Sequence, residues 1–192
     1  MIPSICKTDK QGIHTYDLYS GMFNEERVIF LDCEINSQTA TEIILQLRYL
    51  DNIERADITM FINSPGGAVS DGLAIVDAMR RSRSDISTVC TGIAASMASI
   101  ICTCGTKGKR FITPMAEIMI HQPLAGISGQ ASDIERAAGH ISDTKRRLMK
   151  LLSEATGQSI GQVTADCDRD CYMTAEKAIE YGLVDAIFDL VA

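Results

Sequence analysis

The chain has 192 residues, 46% of them hydrophobic, with 18 lysines and arginines against 25 acids and a formal net charge of −7. That length and apolar content suit one globular domain, residues 1–192, with a substantial core; the acidic balance argues against nucleic-acid and anionic-membrane partners and for proteins or small molecules. The seven cysteines, Cys6, Cys33, Cys90, Cys102, Cys104, Cys167 and Cys171, form no Cys-x-x-Cys pair, several stand in apolar runs where a thiol acts as a small hydrophobe, and their odd number argues for a reducing compartment.

The opening Met1-Ile2-Pro3-Ser4-Ile5-Cys6 is too short, and too soon interrupted by Lys7, Asp9 and Lys10, to act as a signal peptide. No apolar run reaches membrane-spanning length, so a soluble, cytoplasmic protein is expected. Residues 1–18 read as a flexible arm running into Tyr16-Asp17-Leu18-Tyr19. Val28-Ile29-Phe30-Leu31 is the first expected strand, apolar on both faces as in a sheet covered on both sides. A helix from about Ser37 to Leu50 follows, with Ile43, Ile44, Leu47 and Leu50 on one stripe. Ile58-Thr59-Met60-Phe61-Ile62 reads as the next strand, leading into Asn63-Ser64-Pro65-Gly66-Gly67, where glycines permit backbone conformations closed to other residues.

A helix over Ser70 to Arg81 buries Leu73, Val76 and Met79 or their neighbours. After it, Ile86 to Thr91 predicts a buried strand, Gly92 a tight turn, and Met97 to Cys102 a buried helix. The order strand-helix-strand-helix-strand-helix predicts parallel crossovers and an α/β fold. Gly105 to Arg110 reads as a solvated turn, its spacing unlike a phosphate-binding loop. Glu117 to Ile120 predicts a strand running straight into His121-Gln122-Pro123. The region of about 124–156 holds an extended excursion and then a helix from Ser132 to Thr156 carrying Ile134, Ala138, Ile141, Leu148 and Leu152 at helical spacing. It is longer than a core of this size needs, so it is expected to project and pack on another subunit. Ser159 with Gln162 reads as a capping box, Thr174 to Gly182 as a further helix, and Leu183 to Phe188 as the last strand.

Ser96 stands at the first turn of a buried helix, where neighbouring backbone N–H groups, notably that of Met97, lack helical acceptors. It reads either as a helix cap or as a nucleophile in a loose small-x-Ser-x-small elbow. A nucleophilic serine needs a base and a carboxylate to orient that base. Of the three histidines, His14 lies in the arm and His140 on a helix, so His121 is the best-placed base, with a structural role as its alternative. The acids Asp166, Asp168 and Asp170 all lie in one turn. Cys167 and Cys171 with His140 match no zinc spacing, and a metal site is rejected.

Asn63 to Gly67, Gly92 to Met97, Gly105 to Phe111, Met119 to Pro123, Ser128 to Ala131 with Asp133 to Glu135, and Asp168 to Asp170 through Tyr181 to Asp185 together resemble ClpP, the proteolytic subunit family of the Clp proteases, from about Tyr16 almost to the C-terminus. The resemblance implies a crotonase-like α/β superhelix of strand-helix units with a protruding handle helix. It implies Ser96 as nucleophile, His121 as general base and acid, and Asp170, after an arginine and before a residue and an aromatic, as the orienting carboxylate. It implies Gly67 and Met97 as backbone oxyanion donors, Gln130, Asp168 and Arg169 as oligomer contacts, and two stacked seven-membered rings fed with unfolded polypeptide by an AAA+ ATPase unfoldase. Neither metal nor cofactor is implied. This chain departs from the family at the docking face, where Thr59, Phe61 and Arg81-Ser82 replace more aromatic or apolar residues, in the arm around Lys7 to His14, and at Ala98. A divergent member that works beside a second ClpP-type subunit is therefore expected. Two alternatives are a poorly active structural ring subunit and a crotonase-fold acyl-CoA enzyme, whose chemistry does not need the serine, histidine and aspartate together.

Overall fold

The computed structural model describes residues 3–10 and 12–189. Where composition reads as a flexible arm, Ser4–Asp9 (β1) and Gly12–Asp17 (β2) pair antiparallel, with Ile5 opposite Tyr16. The pairing escapes a search for apolar runs because only scattered side chains anchor it. Ile5 and Tyr16 lie on Gly21 of helix α1 (Leu18–Glu26), where a Cβ would approach them to 3.0 and 3.1 Å. Asp17 caps α1 by accepting from the Ser20 amide, and Arg27 ends it in the left-handed region at φ 56°. The Arg27 guanidinium then donates to the carbonyls of Leu50, Glu54, Ala56 and Asp57, pinning the last turn of the following helix and the segment after it to the exit of α1.

Strand-helix units follow in the expected order: β3 (Val28–Leu31), α2 (Ser37–Ile53), β4 (Ile58–Ser64), α3 (Val69–Arg81), β5 (Ile86–Ala95) and α4 (Met97–Thr103). Consecutive strands lie side by side and parallel, so each unit stacks on the one before, as in a superhelix. Ile29, Leu31, Ile58, Met60 and Ile62 face a core closed by Ile43, Leu47 and Leu50 of α2, Ile75, Val76 and Met79 of α3, and all seven residues of α4. The two faces of the sheet are covered differently. The opposite face carries a row of half-buried rings, Phe30 stacked on Phe61 at 5.7 Å, Phe61 against Phe188 at 5.7 Å and Phe188 against Phe111 at 5.9 Å, with Tyr19 of α1 edge-on to Phe30.

Gly92 is a bulge and not a turn. At φ 78° it lies inside β5, and its missing Cβ leaves room for the Asn63 side chain, whose Oδ1 accepts from the Ile93 amide. The bulge divides β5: Thr88 to Cys90 pair with β6 (Arg110–Ile112), and Ile93 to Ala95 pair with β7 (Glu117–Ile120). The Gly105 to Arg110 segment is likewise more than a solvated turn, because it ends in buried Arg110. That guanidinium binds both carboxylate oxygens of Asp185 and the carbonyls of Thr103 and Ala155, tying β6 to three other segments.

The long helix α5 (Ala131–Thr156) buries Leu148, Met149, Leu151 and Leu152 against the core. Its N-terminal end projects: Ile134 and Ala138 are exposed and Ile141 is half-buried, so the N-terminal part of the expected stripe finds little cover among the described residues. Ser159 caps α6 (Ile160–Asp166) by accepting from the Gln162 amide, while the Gln162 side chain turns to Asp166, leaving the capping box half made. Strand β8 (Cys171–Thr174) adds antiparallel to β7, α7 (Ala175–Tyr181) ends at Gly182 with φ 91°, and β9 (Ala186–Ile187) pairs with β6.

Candidate active site

The turn from β5 to α4 places Ser96. Its amide donates to the carbonyl of Met119, continuing the β5–β7 pairing, and its carbonyl accepts from the amide and hydroxyl of Ser99. Between those anchors its backbone takes φ 54°, ψ −122°, a conformation that non-glycine residues rarely adopt and that marks a position dictated by its surroundings. The hydroxyl does not cap α4; it lies 2.7 Å from Nε2 of His121. The capping reading of this serine therefore fails, and its hydroxyl turns outward to the imidazole.

His121 follows the last residue of β7, and Asp170 precedes the first residue of β8. Because Ile120 and Cys171 are register partners in that antiparallel pair, the histidine and the acid leave neighbouring strands side by side. His121 Nδ1 stands 3.0 Å from Asp170 Oδ1. A carboxylate only accepts, so the proton of this hydrogen bond belongs to Nδ1, and Nε2 is left as an acceptor for the Ser96 hydroxyl. The imidazole is 13% exposed and the Asp170 side chain 58% exposed. Of the three acids in the turn, Asp166 instead accepts from the Tyr181 hydroxyl and Asp168 from Gln122.

Ser64, Gly66 and Gly67 bring a second backbone segment to the serine. Ser64, wholly buried at the end of β4, donates to the carbonyl of Cys33 and accepts from the Gly66 amide. Gly66, at φ 91°, lies so close to the Ser96 turn that a Cβ there would stand 2.6 Å from the Ala95 oxygen and 2.9 Å from the Met97 nitrogen. Ile35 bridges the next residue in parallel, donating to the Gly66 carbonyl and accepting from the Ala68 amide, each at 2.8 Å. Among the described residues, the amides of Gly67 and Met97 meet no acceptor. The side chain of Met97 is buried against Gly72 of α3, where a Cβ would come within 2.1 Å of its Cγ. Ser64 was not singled out from the sequence; its hydroxyl acts on a carbonyl 31 residues away, and no spacing signals that.

Gln130, Asp168 and Arg169 are exposed, with Arg169 94% exposed and 4.0 Å from Asp168. Gln130 precedes α5, and its carbonyl accepts from the Asp133 and Ile134 amides. Thr59 and Phe61 lie on the aromatic face of β4, and Arg81 and Ser82 line a groove between α2 and α3 that shares no residue with the serine site. Burial pushes the Cys167 thiol up to about 12 and raises that of Cys171, so both thiols beside the acid turn stay protonated at neutral pH and are weak nucleophiles and ligands. Among the described residues no cluster of three histidine, cysteine or acidic side chains is arranged to hold a metal ion, and no helix is long and apolar enough to cross a membrane.

A serine, an imidazole and a carboxylate in hydrogen-bonded series can transfer a proton from hydroxyl to ring while the acid holds the ring orientation. The family model described as Clp protease matches residues 9–190 of the 192-residue chain. Together with the mostly parallel sheet and its stacked strand-helix units, this match shows that the chain belongs to the Clp protease family.

Proposed function

We propose that the chain is a serine endopeptidase subunit that hydrolyses unfolded polypeptides through an acyl-enzyme on Ser96. The single observation that carries this reading is the series Ser96 Oγ, His121 Nε2 at 2.7 Å, His121 Nδ1 and Asp170 Oδ1 at 3.0 Å. His121 takes the serine proton as Oγ attacks a peptide carbonyl, then returns it to the leaving amine. Water, activated by the same ring, releases the acyl group. The amides of Gly67 and Met97 receive the negative charge on the carbonyl oxygen, each such donor contributing on the order of 10²- to 10³-fold in rate.

Family membership supports oligomeric assembly and peptide substrates. Two stacked seven-membered rings joined through the projecting end of α5, with Gln130, Asp168 and Arg169 at the contacts, fit the uncovered half of that helix. Delivery of substrate by an AAA+ unfoldase, and partnership with a second ClpP-type subunit, complete the reading. The altered docking residues Thr59 and Arg81 motivate the second subunit. No metal or nucleotide is required, and a cytoplasmic setting suits the free thiols.

Incubation with a serine-reactive fluorophosphonate tests the chemistry. Labelling at Ser96 that disappears in Ser96→Ala and His121→Ala is expected, along with peptide hydrolysis that rises when an unfoldase or partner subunit is added. Absence of labelling in every assembly state would overturn the enzyme and leave a structural ring subunit.

A further inference from the structure

We propose that Gln122 is a positioning residue, a strap that fixes the histidine loop to the acid turn and is itself held by Lys145 of α5; this rests on the peptidase reading above. The acid turn needs such a device. Asp168, Arg169 and Asp170 have side chains 65%, 94% and 58% exposed, so packing does little to set where the Asp170 carboxylate stands. On its C-terminal side the turn is fixed by the pairing of Cys171 with Ile120. On its N-terminal side buried Cys167 and the amide of Asp168 are tied back to Val163 and Ala165 of α6, and Gln122 adds the bonds that join this end to the histidine loop. The Gln122 amide donates to the Cys167 carbonyl at 2.7 Å, and its Nε2 donates to the Asp168 carbonyl at 2.9 Å and to Asp168 Oδ1 at 3.4 Å. His121 is thus bracketed by two residues that each grip one end of the segment carrying its acid.

The other end of the Gln122 side chain is also occupied. Its Oε1 accepts from Lys145 Nζ at 2.7 Å. A primary amide joins a donor and an acceptor rigidly through one planar group, so satisfying Oε1 with a cation fixes the plane in which Nε2 can reach the Asp168 carbonyl. Lys145 is half-buried, near the point where α5 passes from its exposed half to the residues buried in the core. The strap therefore spans three segments: the β7 exit, the acid turn and the long helix. A charged donor makes the stronger class of hydrogen bond, and a displacement of about 1 Å at a catalytic group can cost on the order of 100-fold in rate. The hydrogen bonds of the Gln122 side chain go to Asp168 and Lys145 and not to Ser96, the His121 ring or the Asp170 carboxylate; it acts through His121 and Asp170.

Three variants, Gln122→Met, Gln122→Glu and Lys145→Met, test the strap. Gln122→Glu keeps an acceptor for Lys145 but removes the donor to Asp168. Each single variant is expected to lower the second-order rate of fluorophosphonate labelling at Ser96 by about 10- to 100-fold, with assembled mass unchanged and the thermal midpoint lowered by no more than a few degrees, as the loss of one or two hydrogen bonds implies. The double variant Gln122→Met/Lys145→Met should lose no more than about twofold beyond the worse single, because both act on one device. Nitrogen-15 spectra of histidine-labelled, sedimented protein, with His121 assigned by His121→Asn, give a readout independent of activity. The Nδ1-protonated tautomer expected in the native chain should become a mixture of tautomers in Gln122→Met and Lys145→Met. Native labelling rates, an unchanged tautomer, or losses that multiply in the double variant would overturn the strap. A native chain that never labels at Ser96 would instead overturn the peptidase reading, and the tautomer comparison would still decide the strap.

Discussion

Gly67→Ala tests whether the loop beside Ser96 is held by backbone contact. Gly67 has φ 150°, and a Cβ there would stand 2.1 Å from the Ile35 oxygen, 2.8 Å from its nitrogen and 2.9 Å from its carbonyl carbon. Normal carbon–oxygen contacts are no closer than roughly 3.3 Å, and the three nearest atoms are all backbone of Ile35, so the closest clash cannot be relieved by a side chain swinging aside. The two segments must separate by about 1 Å, which breaks the bridging hydrogen bonds that Ile35 makes with Gly66 and Ala68, now 2.8 Å each. Two such bonds are worth about 1 kcal/mol each, and forcing an L residue into positive φ costs about 1 to 2 kcal/mol. The sum, roughly 3 to 4 kcal/mol, corresponds to a fall in midpoint of roughly 10 °C for a chain of this size. Gly157→Ala is the control: its φ of 83° is also left-handed, but nothing lies within 4 Å of its added Cβ, so only the conformational cost of about 1 to 2 kcal/mol applies. Thermal midpoints at matched scan rate and protein concentration, with labelling rates at Ser96, provide the assay. Gly67→Ala should melt well below Gly157→Ala, and, if the Gly67 amide is an oxyanion donor as proposed, its labelling should fall about 100-fold as that donor moves away. A midpoint no lower than the control, with undiminished labelling, would refute the reasoning.

Asp51 predicts an acid-sensitive joint between α2 and the α3–β5 connection. Burial alone would raise its carboxyl, but hydrogen bonds from the Ser84 amide, from Ser82 and from Arg83 outweigh that and hold it at about 2, below its ordinary 3.8. A depressed folded value means the stabilisation is present above 3.8 and is lost as pH falls towards about 2. Asp51→Asn should therefore melt lower than the native chain at neutral pH, with the gap closing over that acid window; a gap independent of pH would contradict the assignment. At Arg110, which is 3% exposed, removing its partner leaves a buried cation without its carboxylate. Asp185→Asn is expected to lower stability by on the order of 3 kcal/mol in denaturant titration, and an unchanged denaturation midpoint would show that the carbonyls of Thr103 and Ala155 suffice.

The strands and helices of the central units were legible because each carries one period over a long enough run. Glu117 to Ile120 has the bounds expected of it, and of the expected stripe Ile43, Leu47 and Leu50 are buried while Ile44 is half-buried at its edge. Other elements were not. Strand β6 has only three residues, and β8, although as long as β7, mixes Cys171, Tyr172, Met173 and Thr174 without an apolar run; the β1–β2 hairpin relies on two apolar anchors. Gly92 misled because a positive φ serves a bulge as well as a turn, and only the neighbouring strands decide between them.

The candidate site divides in the same way. The residue types and their order in the chain, a serine after a buried strand, a histidine at a strand end and an acid in a polar turn, were determined by the sequence. So was the family that those motifs resemble. Asp170 is singled out from the sequence only through that resemblance; that it, and neither Asp166 nor Asp168, stands beside the His121 ring, which serine caps and which points outward, and what holds the loop at Gly67, come from tertiary structure. The His121–Asp170 contact joins residues 49 apart and the His121–Ser96 contact residues 25 apart. Gln122 reaches 46 residues to Asp168 and 23 to Lys145. Local periodicity reports only on neighbours within a turn or a pleat, whereas these distances come from strand register and from the direction in which each strand leaves the sheet.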